Sequence, residues 1–171
     1  TEKPGTAPIV IAGFGRIGRR IGEILTMANK SYVALDSDAS VVEETRKKGY
    51  PVFYGDASKP EILKAAGASD AQIIIVSLND MPAAEELVAT LRETYPEKSI
   101  YVRGHSLEQC RQLRKLGASD VVSENVEASL ELARMALSTA VVNEKEQNAI
   151  LGDFRRKYRA QIERPNDDLE K

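Results

Sequence analysis

The 171 residues of the chain provide enough length for one compact domain with some additional structure, since domains commonly span about 100–200 residues. The 26 acidic and 24 basic residues nearly cancel and aromatic residues make up only 5% of the sequence, which argues against a nucleic-acid partner. A single cysteine, Cys110, excludes an internal disulfide, and with His105 as the single histidine we expect no metal site.

Short β-branched segments alternate with helical patterns along most of the sequence. The strands are predicted at 8–13, 31–36, 50–56, 71–80, 98–104 and 120–125. The helices are predicted at 16–27, 37–49, 58–67, 81–96, 106–117 and 126–142. Because a strand and a helix alternate six times, we predict an α/β fold: a Rossmann-like, doubly wound, six-stranded parallel sheet over 8–142, with a C-terminal helical extension.

The two ends of the chain differ from this pattern. Residues 1–7 are predicted to form a disordered leader, and no apolar run in the sequence approaches the ~18–20 residues of a membrane-spanning helix. We therefore expect a globular, cytosolic protein.

Residues 143–171 are predicted to form a helical tail, frayed over 164–171, whose apolar stripe docks either on its own domain or on a partner. The stripe consists of Ile150, Leu151, Phe154, Tyr158 and Ile162.

Residues with known capping preferences mark the predicted helix ends. Ser37 or Asp38 is expected to cap the second helix, and Ser58 the third. Gly67 and Gly117 each begin a Gly-Ala-Ser-Asp segment between a helix and a strand. We interpret both glycines as left-handed helix caps, in preference to traces of a duplication.

Three glycines join the first predicted strand to the first helix: Gly13, Gly15 and Gly18. In this context the first makes a tight turn, the second lets backbone approach a phosphate, and the third brings helix close to strand. The helix N-terminus attracts an anion, and Arg16 can add a charged hydrogen bond. Asp36, at the end of the second strand, suits a ribose and would repel a 2′-phosphate, which favours NAD or an adenosine mononucleotide over NADP. The alternative is a structural turn with a solvated Asp36.

Polar side chains also follow the later strands. Asp56 and Ala57 follow the third strand, Ser77 the fourth and Arg103 the fifth. Because the carboxyl ends of parallel strands face the ligand crevice, we expect these residues near the ligand. Asp56 either contacts ribose or adenine or caps the next helix, and the sequence leaves both open. His105, just beyond Arg103, is interpreted as exposed to solvent.

Four segments carry a resemblance to a known family: VIAGFGRIGRRIGEIL, ALDSDASVVEETRKKGYPVFYGDAS, ILKAAGASDAQIIIVSLND and YVRGHSLEQCRQLRKLGASDVVSEN. Over residues 8–142 the chain resembles the RCK domain, also called KTN or TrkA-N, of Kef-type potassium/proton antiporters and their chloroplast relatives. The resemblance implies a regulatory domain that binds an adenine nucleotide, forms homodimers and gates potassium efflux at the cytoplasmic face of a membrane. Its partner would be the transmembrane antiporter domain of the same protein.

The resemblance also implies which residues hold the nucleotide. The loop from Gly13 to Ile17 would bind phosphate, Asp36 with Ser37 the ribose, and Asp56 with Ala57 the adenosine end. Together with the strand-end residues, the expected site is Gly13, Phe14, Gly15, Arg16, Ile17, Gly18, Asp36, Ser37, Asp56, Ala57, Ser77 and Arg103. The expected ligand is AMP, with NAD(H), ADP or ATP as alternatives.

We expect no enzymatic activity. The alternative function is an NAD-dependent oxidoreductase fragment, which needs a substrate pocket and a general acid or base. Residues 143–171 are too few for a substrate domain, and His105 would be the sole histidine available as the acid or base.

Arg19 and Arg20 are interpreted as a solvated helix face.

For the homodimer, we predict that the helix at 126–142 supplies much of the interface. Its apolar residues for that contact are Val126, Leu130, Leu132, Met135 and Val141.

Overall fold

The computed structural model describes residues 7–140 and 142–163, so that most of the predicted leader, Val141 and the predicted frayed end lie outside the described residues. The strands are β1 Ile9–Ala12, β2 Tyr32–Asp36, β3 Val52–Tyr54, β4 Ile73–Val76, β5 Ser99–Gly104 and β6 Asp120–Ser123. The helices are α1 Arg16–Met27, α2 Ala39–Lys47, α3 Pro60–Ala65, α4 Met81–Thr94, α5 Leu107–Leu116, α6 Glu124–Thr139 and α7 Glu144–Glu163. Strands and helices alternate as the sequence pattern predicts.

The strands lie in one parallel sheet of order β3-β2-β1-β4-β5-β6. In the middle of the sheet, Val10 of β1 pairs with Val33 of β2 on one side and with Ile74 of β4 on the other. The strand order therefore reverses between β1 and β4, and in such sheets this reversal opens a ligand crevice at the carboxyl ends of the strands. The prediction of a Rossmann-like, doubly wound sheet is confirmed.

Buried apolar side chains form a core on each face of the sheet. One core contains Ile11, Phe14 and Tyr32, on the face that α1 and α2 cover. The other contains Ile74 and Leu87, on the face that α3, α4 and α5 cover. Because helices cover both faces, every residue of β1 is buried, as expected for the centre of a parallel sheet. The central strands thus form a rigid base for the loops at their carboxyl ends.

The predicted N-terminal caps of α2 and α3 have different outcomes. Asp38 caps α2, because its carboxylate accepts hydrogen bonds from the backbone N–H groups of Ser40 and Val41. The prediction that Ser58 caps α3 is wrong, since α3 begins at Pro60 with Lys59 at the cap position. The Ser58 hydroxyl donates to Asp56 instead, which holds it in the preceding turn.

The helix-ending role of two glycines is confirmed. Gly67 and Gly117 have φ angles of +105° and +116°, in the left-handed region that favours glycine. Gly117 lies at the C-terminal cap position of α5, where its N–H donates to the carbonyl of Arg114. Both Gly-Ala-Ser-Asp segments therefore connect a helix to the next strand.

The boundary between β6 and α6 differs from the prediction. A strand was predicted at 120–125, but the Ser123 hydroxyl accepts the N–H of Val126 and so caps a helix that begins at Glu124. The carboxylate of Glu124 therefore lies in the first turn of α6, where a negative charge interacts favourably with the helix dipole.

Helix α7 packs back on its own domain near its C-terminal end. Ile162 is buried with the core, Tyr158 packs against it, and Arg111 of α5 donates to the Gln161 carbonyl at 2.6 Å. Earlier in the helix, Ile150 and Phe154 remain about half exposed. Of the two alternatives for the apolar stripe, docking on its own domain applies to its C-terminal part.

None of the helices in residues 7–140 and 142–163 combines the length and apolar character that a membrane crossing needs.

Candidate functional site

The turn between β1 and α1 is held in a fixed shape by its glycines. Gly13 has a φ of +97°, and its N–H donates to the Leu35 carbonyl at 2.9 Å. A Cβ at Gly18 would lie 2.3 Å from the backbone oxygen of Gly13, so the helix approaches the strand as closely as glycine allows. The buried hydroxyl of Ser77 donates to that same oxygen at 2.7 Å. The turn therefore depends on glycine at two positions and on a bond from Ser77, the residue after β4.

The N-terminus of α1 is open toward the crevice. Gly15 occupies its cap position, and within the described residues no side chain caps it. A Cβ at Gly15 would have the Asn79 amide nitrogen as its nearest neighbour, 4.0 Å away. The backbone N–H groups of the first turn are therefore available to an anion, with the exposed Arg16 beside them.

Phe14 is held in the loop by both its side chain and its backbone N–H. Its side chain is buried and packs against the rings of Tyr32 and Tyr50, with centroid distances of 6.2 and 5.6 Å. Its backbone N–H donates to Asp36 Oδ2 at 2.8 Å. Phe14 therefore shapes the loop, and the amides that remain for a phosphate are those that follow it.

Asp36 is anchored beside this loop. It ends β2 and is half-buried, and its Oδ1 accepts the N–H of Asp38 at 2.8 Å while Oδ2 accepts that of Phe14. Each oxygen of an ionised carboxylate can accept further hydrogen bonds, so the group can still bind two hydroxyls. Ser37, the next residue, is exposed. The carboxylate is thus held at a fixed position next to the open helix N-terminus.

Asp56 and Ala57 lie beyond β3, the edge strand next to β2, and neither is among the residues that line the crevice beside the glycine loop. The hydroxyl and the amide of Ser58 both donate to the exposed Asp56 carboxylate, and these bonds lower the pKa of that carboxyl below its ordinary value. Since Lys59 holds the cap position of α3, Asp56 is not its cap. The Ala57 side chain is buried in the core, so this residue can offer a ligand only its backbone.

On the other side of the loop, charged side chains gather over the ends of β4, β5 and β6. Arg103 donates to Asn79 Oδ1 at 2.7 Å and to the Leu78 carbonyl at 3.1 Å, and its Nη1 lies 3.3 Å from Glu124 Oε2. His105 Nδ1 lies 2.9 Å from Glu124 Oε1. The crevice here has a volume of about 520 Å³ and is lined by Gly15, Arg16, Ile17, Arg20, Ser77, Asn79, Arg103, His105 and Glu124.

A family model described as the TrkA-N domain matches residues 9–124. The chain belongs to the TrkA-N family. The chloroplastic K(+) efflux antiporter 3 of Arabidopsis thaliana is 35% identical over 138 residues, which cover 76% of this chain and 18% of that protein. The glutathione-regulated potassium-efflux system protein KefC of Klebsiella pneumoniae is 34% identical over 148 residues, 86% of this chain and 24% of that protein. This TrkA-N chain therefore spans about a fifth of the length of these curated relatives.

Solved structures of related domains share its fold. The Shewanella denitrificans Kef CTD, in an AMP-bound form, superposes with a TM-score of 0.78 at 27% identity, covering 90% of this chain and 94% of that one. The GsuK channel bound to NAD gives a TM-score of 0.62 at 32% identity, over 72% of this chain and 22% of that one. GsuK bound to ADP gives 0.67 at 29% identity, over 77% and 34%.

Four residues at the crevice of this TrkA-N domain were not among the predicted site residues: Arg20, Asn79, His105 and Glu124. His105, expected to be exposed to solvent, is partly buried and lies against Glu124. Asn79 and Glu124 follow β4 and β6, so the strand-end rule that indicated Ser77 could have found both. Glu124 escaped because the strand was extended over it. Arg20, interpreted as part of a solvated face, is exposed but lies one helical turn after Arg16 and lines the crevice.

Proposed function

We propose that this TrkA-N domain is a regulatory module that binds an adenine nucleotide, AMP in particular, and thereby gates a Kef-type potassium/proton antiporter. The observation that carries the proposal is the open N-terminus of α1 beside the anchored carboxylate of Asp36. The first offers N–H groups and positive potential to a phosphate, and the second offers acceptors to a ribose.

The proposed pose follows the geometry of the loop. The phosphate contacts the amides from Gly15 to Gly18 and the guanidinium of Arg16, while the ribose hydroxyls donate to Asp36. The adenosine end then extends toward Ser37, Asp56 and the backbone of Ala57. A 2′-phosphate would meet the negative charge of Asp36, which disfavours NADP.

The ligands seen in related structures support an adenine nucleotide. One related Kef domain was solved in an AMP-bound form, and the GsuK structures contain NAD or ADP. The shared element in these ligands is adenosine linked to a phosphate, the part that the loop and Asp36 are arranged to hold.

The family supports the proposal of a transmembrane partner. The curated relatives are potassium-efflux proteins several times longer than this chain. We propose that the domain lies at the cytoplasmic face of a membrane and acts on an antiporter domain of the same protein. Ligand would bias two arrangements of the assembly through a difference in affinity for them. A catalytic role is not part of this proposal.

Calorimetric titration of the 171-residue chain with AMP, ADP and NAD at up to millimolar concentrations tests nucleotide binding directly. We expect saturable binding of AMP. Absence of binding by all three would contradict the proposal. Oxidation or reduction of the nicotinamide in the presence of a hydroxy acid or aldehyde would favour the oxidoreductase alternative.

We further propose a homodimer through α6. Leu132 and Met135 on this helix are 66% and 53% exposed, which leaves an apolar face. The expected contribution of Leu130 is wrong, because its side chain is buried within its own protomer, and Val141 lies outside the described residues.

Leu132→Asp is expected to weaken the dimer at least tenfold, since it places a charge in the apolar contact. Sedimentation velocity at micromolar concentrations measures this shift toward monomer. The matched control is Ile24→Asp on α1, where the side chain is similarly exposed, at 63%. A monomeric parent protein, or equal effects of the two substitutions, would contradict the proposed interface.

A further inference from the structure

Glu124 places a carboxylate inside the crevice of the domain. It is the first residue of α6, and its two oxygens engage different partners: Oε2 lies 3.3 Å from Arg103 Nη1, and Oε1 lies 2.9 Å from His105 Nδ1. The Arg103 side chain is only 11% exposed, and its other terminal nitrogen is bound by Asn79 and the Leu78 carbonyl. The charge of Arg103 is therefore already compensated by a group of the protein.

The position of Glu124 relative to the glycine loop determines which ligand atoms approach it. If the ribose is held by Asp36, on the β2 side of the loop, then the ligand continues past its first phosphate toward β4 and β5, where the strand order reverses. That half of the crevice is lined by Asn79, Arg103, His105 and Glu124. The phosphate of a nucleoside monophosphate stays at the loop, whereas a second phosphate would enter this half.

The remaining basic residues of the lining do not distinguish these ligands. Arg16 and Arg20 lie on α1, close to the loop, and attract the first phosphate and the second alike. The acidic group facing this half of the crevice among its lining residues is Glu124. A second phosphate is therefore repelled electrostatically by this carboxylate, unless it displaces the carboxylate from Arg103 and His105.

We propose that Glu124 is a specificity-determining residue that makes the domain favour nucleoside 5′-monophosphates over diphosphates. This inference rests on the proposed nucleotide site and adds to it the preference for ligand length. Arg103 and His105 act through Glu124, because they hold its carboxylate in the half of the crevice that a second phosphate would enter.

Glu124→Gln tests the inference by removing the charge while retaining most of the side chain. Calorimetric titrations with AMP and with ADP are made on the whole chain, in buffer free of divalent cations. We expect ADP affinity to rise about tenfold, and AMP affinity to change by less than about twofold, because only the second phosphate comes close to the removed charge. The measured quantity is the dissociation constant for AMP divided by that for ADP, which is expected to rise in the variant.

Glu127→Gln is the matched control, since it makes the same charge change one turn along α6, where the carboxylate binds Arg155 instead. It should leave the ratio unchanged. Glu124→Ala serves as a second variant that also removes the carboxylate, and it should raise the ratio in the same direction.

The outcomes separate this inference from the function on which it rests. A parent protein that binds AMP, with a ratio that neither Glu124 variant changes or that Glu127→Gln changes equally, overturns the role of Glu124 alone. A parent protein that binds neither nucleotide overturns both. A parent protein that binds ADP more tightly than AMP also overturns the proposed preference.

Discussion

Replacing Gly18 with alanine is expected to lower the free energy of unfolding by about 3 kcal/mol, because the new methyl group would overlap the backbone of the preceding turn. The added Cβ would lie 2.3 Å from the Gly13 oxygen and 3.0 Å from the Ser77 hydroxyl. The first contact is with backbone that is itself held by bonds to Leu35 of β2 and to Ser77, so it cannot move without breaking them. Urea denaturation followed by circular dichroism measures the loss.

Gly15→Ala is the matched control for this effect, and its expected result is the reverse. A Cβ at Gly15 has its nearest neighbour 4.0 Å away, so we expect a loss of about 1 kcal/mol or less in stability. The methyl group would instead occupy the space through which a phosphate approaches the loop, and AMP affinity should fall at least tenfold. Equal destabilisation by the two substitutions, or full AMP affinity in Gly15→Ala, would contradict this assignment of the glycines.

Asp36→Ala is expected to weaken AMP binding by about 10–100-fold. The substitution removes the acceptor of both ribose hydroxyls, and hydrogen bonds to a charged group contribute about 1.5–3 kcal/mol. It also releases the N–H groups of Phe14 and Asp38, so some loss of stability is expected as well. The ligand 2′,3′-dideoxy-AMP separates the two effects because it lacks the hydroxyls.

The parent protein should therefore bind AMP more tightly than the dideoxy analogue, and Asp36→Ala should bind both about equally. Asp36→Asn, which keeps an oxygen acceptor for the loop, should lose most of the discrimination with less effect on stability. Glu43→Ala on α2, whose carboxylate pairs with Lys47, is the control and should keep the parent's preference. An Asp36→Ala protein that retains full AMP affinity would show that the ribose lies elsewhere.

The sheet and its central turn were predictable because their signals are local. The alternation of strand and helix periods predicts a doubly wound sheet, and a left-handed turn such as that at Gly13 strongly favours glycine. The position of Asp36 follows from the same logic, since a strand of known length places its last residue at the crevice. These features depend on short segments of sequence and on rules of parallel sheets.

The features that escaped prediction depend on competition between neighbouring groups. Ser123 ends β6 and its hydroxyl also caps α6, so the helix begins at Glu124 and places that residue at the crevice. Ser58 could cap α3, but its hydroxyl donates to the Asp56 carboxylate instead. The backbone N–H of Phe14 donates a hydrogen bond to Asp36. The two residues lie 22 positions apart in the sequence, so no local pattern indicates this contact.

The most direct test of the account is a crystal structure of the chain grown in the presence of saturating AMP. We expect the phosphate within hydrogen-bond distance of the backbone amides from Gly15 to Gly18 and the ribose hydroxyls on Asp36. Solvent alone in that crevice, or a nucleotide bound elsewhere on the domain, would contradict it.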